Sequence, residues 1–206
     1  MTISSLATAA GTLVLAAATF ASVRSANRAA RVAEQSLLAG IRPLLMPSRP
    51  QDAPLKVGFA DEHWVQTPGG GGTAEIGDKA IYLTMSVRNV GNGIAVLHGW
   101  RVEPTVELGP VSRPPLDSFR RLTRDLYVAT GDVAFWQGVY RDPAEPEFET
   151  VRERILGSQR IAVDLLYGDH QGSQRIISRF TLAPRADGLR HAAVVRHWNV
   201  DRPDPR

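Results

Sequence analysis

Ile81-Tyr-Leu-Thr-Met-Ser-Val87 places large aliphatic side chains at every second position: Ile81, Leu83, Met85 and Val87. Successive side chains of a strand point to opposite faces, so this period of two predicts a β-strand with one apolar face turned to a core. Arg160-Ile-Ala-Val-Asp-Leu-Leu-Tyr167 repeats it through Ile161, Val163, Leu165 and Tyr167. After a turn at Gly168-Asp-His-Gln-Gly172, Ile176, Phe180 and Leu182 resume the pattern. Further strand-like runs lie near residues 56–66, 94–103, 126–129, 133–140 and 192–200, each bounded by Gly, Pro, Asp or Asn. Seven or eight short strands at this spacing predict an antiparallel sandwich or barrel. Trp64, Trp100, Trp136 and Trp198 each fall in a predicted strand, where core or sheet-face packing is their expected role. Gly69, Gly70, Gly71 and Gly72 predict a flexible loop.

Toward the N-terminus the period changes. Residues 2–23 carry no ionisable side chain and are rich in Ala, Leu and Val, with Ser4, Ser5, Thr8, Thr12, Thr19 and Ser22 interspersed. About 20 apolar residues span a bilayer, so this stretch predicts a transmembrane helix. Ala21-Ser22-Val23 is a weak alternative, a cleavage site. Arg24, Arg28 and Arg31 follow at helical spacing, on one face of a juxtamembrane amphipathic helix that reaches Gly40. By the positive-inside rule, these arginines predict an outside N-terminus and a cytoplasmic β domain at the cell membrane. They are candidate contacts for membrane lipids, and Ala7 with Gly11 is a small-residue pair suited to a homodimer through the helix. Pro43, Pro47, Pro50 and Pro54 predict an extended linker. The expected order is a transmembrane helix over 1–23, the juxtamembrane helix over 24–40, a linker over 41–54, a β-sandwich domain over 55–200 and a tail over 201–206.

The chain has no Cys, which excludes disulfides, thiolate nucleophiles and Cys-ligated metals. Its net charge is +3 and its pI about 9.7, yet Lys occurs only at Lys56 and Lys79, so the excess is arginine. Arg113, Arg120, Arg121 and Arg124 form a candidate basic patch, near a stretch over 116–124 that reads as a short helix or a crossover. Nucleic acid is disfavoured as a partner, because the arginines are interspersed with Asp and Glu. No phosphate-binding loop, Gly-x-Ser-x-Gly elbow or His-Glu-x-x-His motif occurs. Asp169-His170, with Ser173 close by, is the one acid–His pair that suggests a catalytic site, and Asp61-Glu62 with Asp78 is a weak cation candidate. No cofactor or metal is expected.

Asn89-Val-Gly-Asn-Gly-Ile-Ala95 resembles the Asn-x-Gly-x-Gly-x-Ala turn of bacterial immunoglobulin-like domains. Turn geometry suits these residues, with Gly91 and Gly93 supplying positive φ and Asn89 bonding its own backbone. Together with Val96-Leu-His-Gly-Trp100, Gly131-Asp-Val-Ala-Phe-Trp-Gln-Gly138, Asp164-Leu-Leu-Tyr-Gly-Asp-His170 and Arg196-His-Trp-Asn199, this turn is similar to actinobacterial membrane-anchored proteins of no assigned activity. The resemblance covers the chain from Arg31 onward and implies an immunoglobulin-like antiparallel β-sandwich. The expected function is a membrane-tethered, non-enzymatic interaction module for a protein partner of unknown identity. Anionic-lipid or nucleic-acid surface binding through the Arg-rich segments, or an enzyme site near Asp169 and His170, are the alternatives.

Overall fold

The computed structural model describes residues 3–103 and 112–204, the side chains of residues 3–9 and 123–125 excepted. The chain divides into two compact units, one ending at Gly40 and the other beginning at Ile41.

The first unit is one continuous helix, α1 (Ile3–Gly40), which joins the two predicted helical segments. Alanine, the strongest helix former, recurs throughout it. Arg24, Arg28 and Arg31 are exposed along it, as are Leu13, Leu15 and Phe20. The predicted membrane span is corrected here: among the described residues, no helix is long and apolar enough to cross a membrane. Alanine adds little transfer free energy, and the hydroxyls of Thr12, Thr19 and Ser22 dilute the aliphatic residues further. Thr19 satisfies its own hydroxyl by donating to the Leu15 carbonyl at 2.8 Å. Without a span, the single-pass placement and the orientation derived from it lose their support.

The second unit is mainly β. Its strands are β1 (Leu45–Pro47), β2 (Leu55–Gly58), β3 (Trp64–Thr67), β4 (Gly71–Ile76), β5 (Ile81–Asn89), β6 (Ala95–Glu103), β7 (Arg120–Val128), β8 (Val133–Tyr140), β9 (Ile161–Asp169), β10 (Arg175–Pro184) and β11 (Arg190–Asn199). A short helix, α2 (Phe148–Leu156), interrupts the predicted run of strands and puts Phe148 and Val151 into the core. β5 is the hub. One of its edges pairs with β8 along its length, from Ile81↔Tyr140 to Arg88↔Val133. The other edge is divided, with β4 against Ile81–Met85 and β1 against Val87–Asn89. From β4 the antiparallel sheet continues through β11, β10, β9 and β6 to β7.

This sheet curls, so that the alternating residues of distant strands share one core. Ile81, Leu83, Met85 and Val87 of β5 join Ile161, Val163, Leu165 and Tyr167 of β9, with Trp136 of β8 and Phe180 of β10. Each fully buried aliphatic or aromatic side chain is worth about 1.5–3 kcal/mol. The opposite face of β5 is buried as well, because the β2–β3 hairpin covers it. Val57, Phe59, Val65 and Tyr82 form a second cluster there. The polar residues on that face are satisfied by one another. Thr84 bonds Thr67 at 2.6 Å and Thr73 at 2.7 Å, and Ser86 bonds Ser48 at 2.6 Å.

Three boundaries differ from expectation. The predicted linker over 41–54 is part of the fold, since β1 lies within it and completes the edge of β5. Gly71 and Gly72 open β4 rather than a free loop; a Cβ on Gly72 would lie 2.2 Å from the Thr84 carbonyl oxygen, so glycine permits the close strand contact. The stretch over 116–124 makes a single tight turn at Leu116–Ser118 and then enters β7. The tail is held through Asp204, whose carboxylate accepts from the Asn199 backbone at 2.7 Å.

Candidate functional site

β7 and β8 are consecutive strands joined by only a few residues, yet they do not pair. β7 pairs with β6, and β8 pairs with β5. Among the described residues, the outer edge of each has no partner strand. The two strands therefore diverge from the connection at Ala129–Asp132 and leave a seam where the curled sheet fails to close.

A cavity of about 490 Å³ lies in this seam. Its lining includes Leu122 and Leu126 from β7, Phe135 and Val139 from β8, and Trp100 from β6. The aromatic floor is ordered edge to face: Trp100 meets Trp136 at 5.3 Å and Tyr140 at 5.5 Å between centroids. Gly138 keeps the floor open, since a Cβ there would lie 2.7 Å from the Trp136 ring. Arg120 spans the wide end. Its guanidinium sits 4.4 Å over Tyr140 and 5.2 Å over Trp100, and it pairs with Glu145. Burial pushes the Tyr140 hydroxyl far above its ordinary value despite this cation. Arg121 and Arg141, both exposed, complete the rim, and no Asp or Glu lines the cavity itself. Two lining residues carry buried polar atoms with no hydrogen-bond partner among the described residues, the Trp136 indole nitrogen and the Gln137 side-chain oxygen.

The structure separates the predicted basic patch. Arg120 and Arg121 reach the seam, whereas Arg113 donates to the carbonyls of Asn199 and Val200 at 3.0 and 3.2 Å. The Arg124 side chain lies outside the described residues.

The Asn89 turn is structural, although for a different reason than expected at its glycines. The Asn89 side-chain oxygen accepts from Gly91 at 3.0 Å and from Leu44 at 3.2 Å. Its amide donates to the carbonyls of Gly93 at 2.6 Å and Val128 at 3.0 Å. Neither Gly91 nor Gly93 has positive φ. Glycine is needed because residues 41–44 run against them: a Cβ on Gly93 would fall 1.8 Å from the Ile41 carbonyl oxygen.

Asp169 and His170 lie in the β9–β10 turn and are placed differently. Asp169 is buried and accepts from the Ser173 hydroxyl at 2.7 Å and the Gln171 backbone at 2.9 Å, closing the β9–β10 turn, while His170 is exposed. Burial alone would raise the Asp169 carboxyl, but the Ser173 and Gln171 donors hold it below its ordinary value. Asp61, Glu62 and Asp78 border one shallow depression, and Asp61 is already engaged by the Tyr82 hydroxyl at 2.7 Å. Among the described residues, no group of three or more His, Asp or Glu side chains could hold a metal.

Sequence reasoning missed a buried ion network on the far face of β9. Asp164, fully buried, takes both Nε and Nη2 of Arg179 at 2.7 Å, with Arg101 at 3.2 Å. Glu103 joins through Arg179 at 2.9 Å. Burial opposes the Arg179 charge, and the Asp164 and Glu103 carboxylates more than restore it. The signal was present as an acid and an arginine at strand positions facing away from the main core. Comparisons with protein-family models, curated proteins and solved structures return no match for this chain.

Proposed function

We propose that the unit from Ile41 onward is an immunoglobulin-like β-sandwich acting as a non-enzymatic interaction module, which receives a protein partner in the seam between β7 and β8. The observation that carries this reading is a pair of strand edges, unpaired among the described residues, beside an apolar, arginine-rimmed cavity. Exposed strand edges are liabilities that proteins ordinarily cover or blunt, and an aromatic-floored groove supplies the pockets that anchor a partner. The sandwich assignment is supported by the opposed apolar faces of β5 and β9 in one core and by the Asn89 turn. The non-enzymatic reading is supported by Asp169 and Ser173, which are engaged with each other in a turn.

A photo-reactive residue at position 121, with one at the exposed Val195 on β11 as control, tests the proposal in cells. The expected result is a discrete protein adduct from position 121, identified by mass spectrometry and re-formed from purified components. Adducts from position 195 alone, or from neither position, would contradict it.

A further inference from the structure

Resting on that reading, we infer that the occupant of the seam is an extended, acidic polypeptide segment of a separate protein, bound as an added β-strand. Two features of the cleft select this chemistry. Among the described residues the outer edges of β7 and β8 have no partner strand, and an inserted strand satisfies such edges along its own backbone. Strand addition takes affinity from the main chain and specificity from alternate side chains, and here the alternate positions meet an apolar floor of Trp100, Trp136 and Leu126.

The second feature is charge. The lining holds Arg120, Arg121 and Arg141 and no acidic residue. Arg120 is neutralised by Glu145 and Arg141 lies 3.6 Å from Asp61, which leaves Arg121 with the least compensated charge on the rim among the described residues. The rim thus favours glutamate or aspartate on the solvent side of the incoming strand.

The test uses the full chain and three labelled, end-blocked heptapeptides. The first alternates glutamate with isoleucine and leucine, the second replaces glutamate with lysine, and the third is the glutamate peptide N-methylated at alternate amides. By fluorescence anisotropy, the glutamate peptide binds saturably, the lysine peptide at least about tenfold more weakly, and the N-methylated peptide fails. Arg121→Glu, at an exposed position, reverses the order of the first two. Equal binding by the N-methylated or lysine peptide, or no saturable binding of the glutamate peptide, would overturn the inference. Displacement of the glutamate peptide by self-association would also overturn it, by assigning the seam to a second copy. If the peptides fail while the adduct at position 121 still forms, only the acidic strand is lost. If both fail, the interaction module itself is refuted.

Discussion

The Asn89 side-chain amide donates to the Gly93 carbonyl at 2.6 Å, and through the same carboxamide the end of β5 is tied to β1 and β7. One buried side chain thus fixes where β1 docks and where β7 stops, which sets the narrow end of the seam. Asn89→Ala leaves several buried backbone groups without partners and is expected to cost about 3 kcal/mol. Urea unfolding measures this directly. A loss under about 1 kcal/mol would mean that water replaces the carboxamide.

The Asp164–Arg179 pair makes a second, sharper prediction. Removing one partner strands a buried charge, so Asp164→Ala should destabilise by about 3–5 kcal/mol. Asp164→Leu combined with Arg179→Met should recover much of that, because Arg101 and Glu103 still pair at 3.2 Å. A double variant no more stable than the single one would show that the network contributes beyond charge pairing.

Acid should lower the stability of the β unit in two pH ranges. His197 is held below its ordinary value of 6.5 by burial and by the Arg42 charge. One donor order satisfies the chain beside it: Leu45 N–H to Tyr167, Tyr167 to Ser178, Ser178 to His197 Nδ1, at 3.1, 2.8 and 2.6 Å. Burial keeps Tyr167 protonated, at about 12, and a protonated His197 would reverse the order and leave the Tyr167 hydroxyl without an acceptor. A depressed folded value means that this stability is full above 6.5 and is lost as pH falls through the folded value. Asp201, held low by Arg175, and Asp169 follow the same sign from 3.8 downward. Stability measured against pH should therefore decline first below 6.5 and again below 3.8, and His197→Gln should remove only the first decline.

Much of the β unit was legible because burial on one face imposes a period of two. β5, β8, β9 and β10 fall where alternation placed them. β1 and β4 were not legible, since Pro47 and Gly71–Gly72 read as linker and loop, and only the docking of those residues on β5 reveals them as strands. Residues 2–23 lack charge, and absence of charge was mistaken for sufficient hydrophobicity. The seam had no local signature at all. A short connection between two strands predicts a hairpin, and nothing in residues 120–140 states that each strand pairs elsewhere. Arg120 and Arg121 were visible as charges, but the aromatic floor beneath them depends on Trp100, which arrives from β6.

The basic residues should separate by function. Arg121→Ala is expected to weaken binding of the cross-linked partner about tenfold. Arg113→Ala should leave that affinity unchanged, because its guanidinium is spent on the carbonyls of Asn199 and Val200. Titration of both variants against the purified partner decides the matter, and equal losses would favour a diffuse basic surface over the seam.

The most direct test of the seam is amide hydrogen exchange resolved along β8. In the free protein, every second amide from Val133 to Tyr140 should exchange quickly, because it faces the unpaired edge, while the alternate set bonded to β5 stays protected. Adding the partner captured at position 121 should slow the fast set and leave the other unchanged. Uniform protection in the free protein, or a fast set indifferent to the partner, would contradict an open seam that receives a strand.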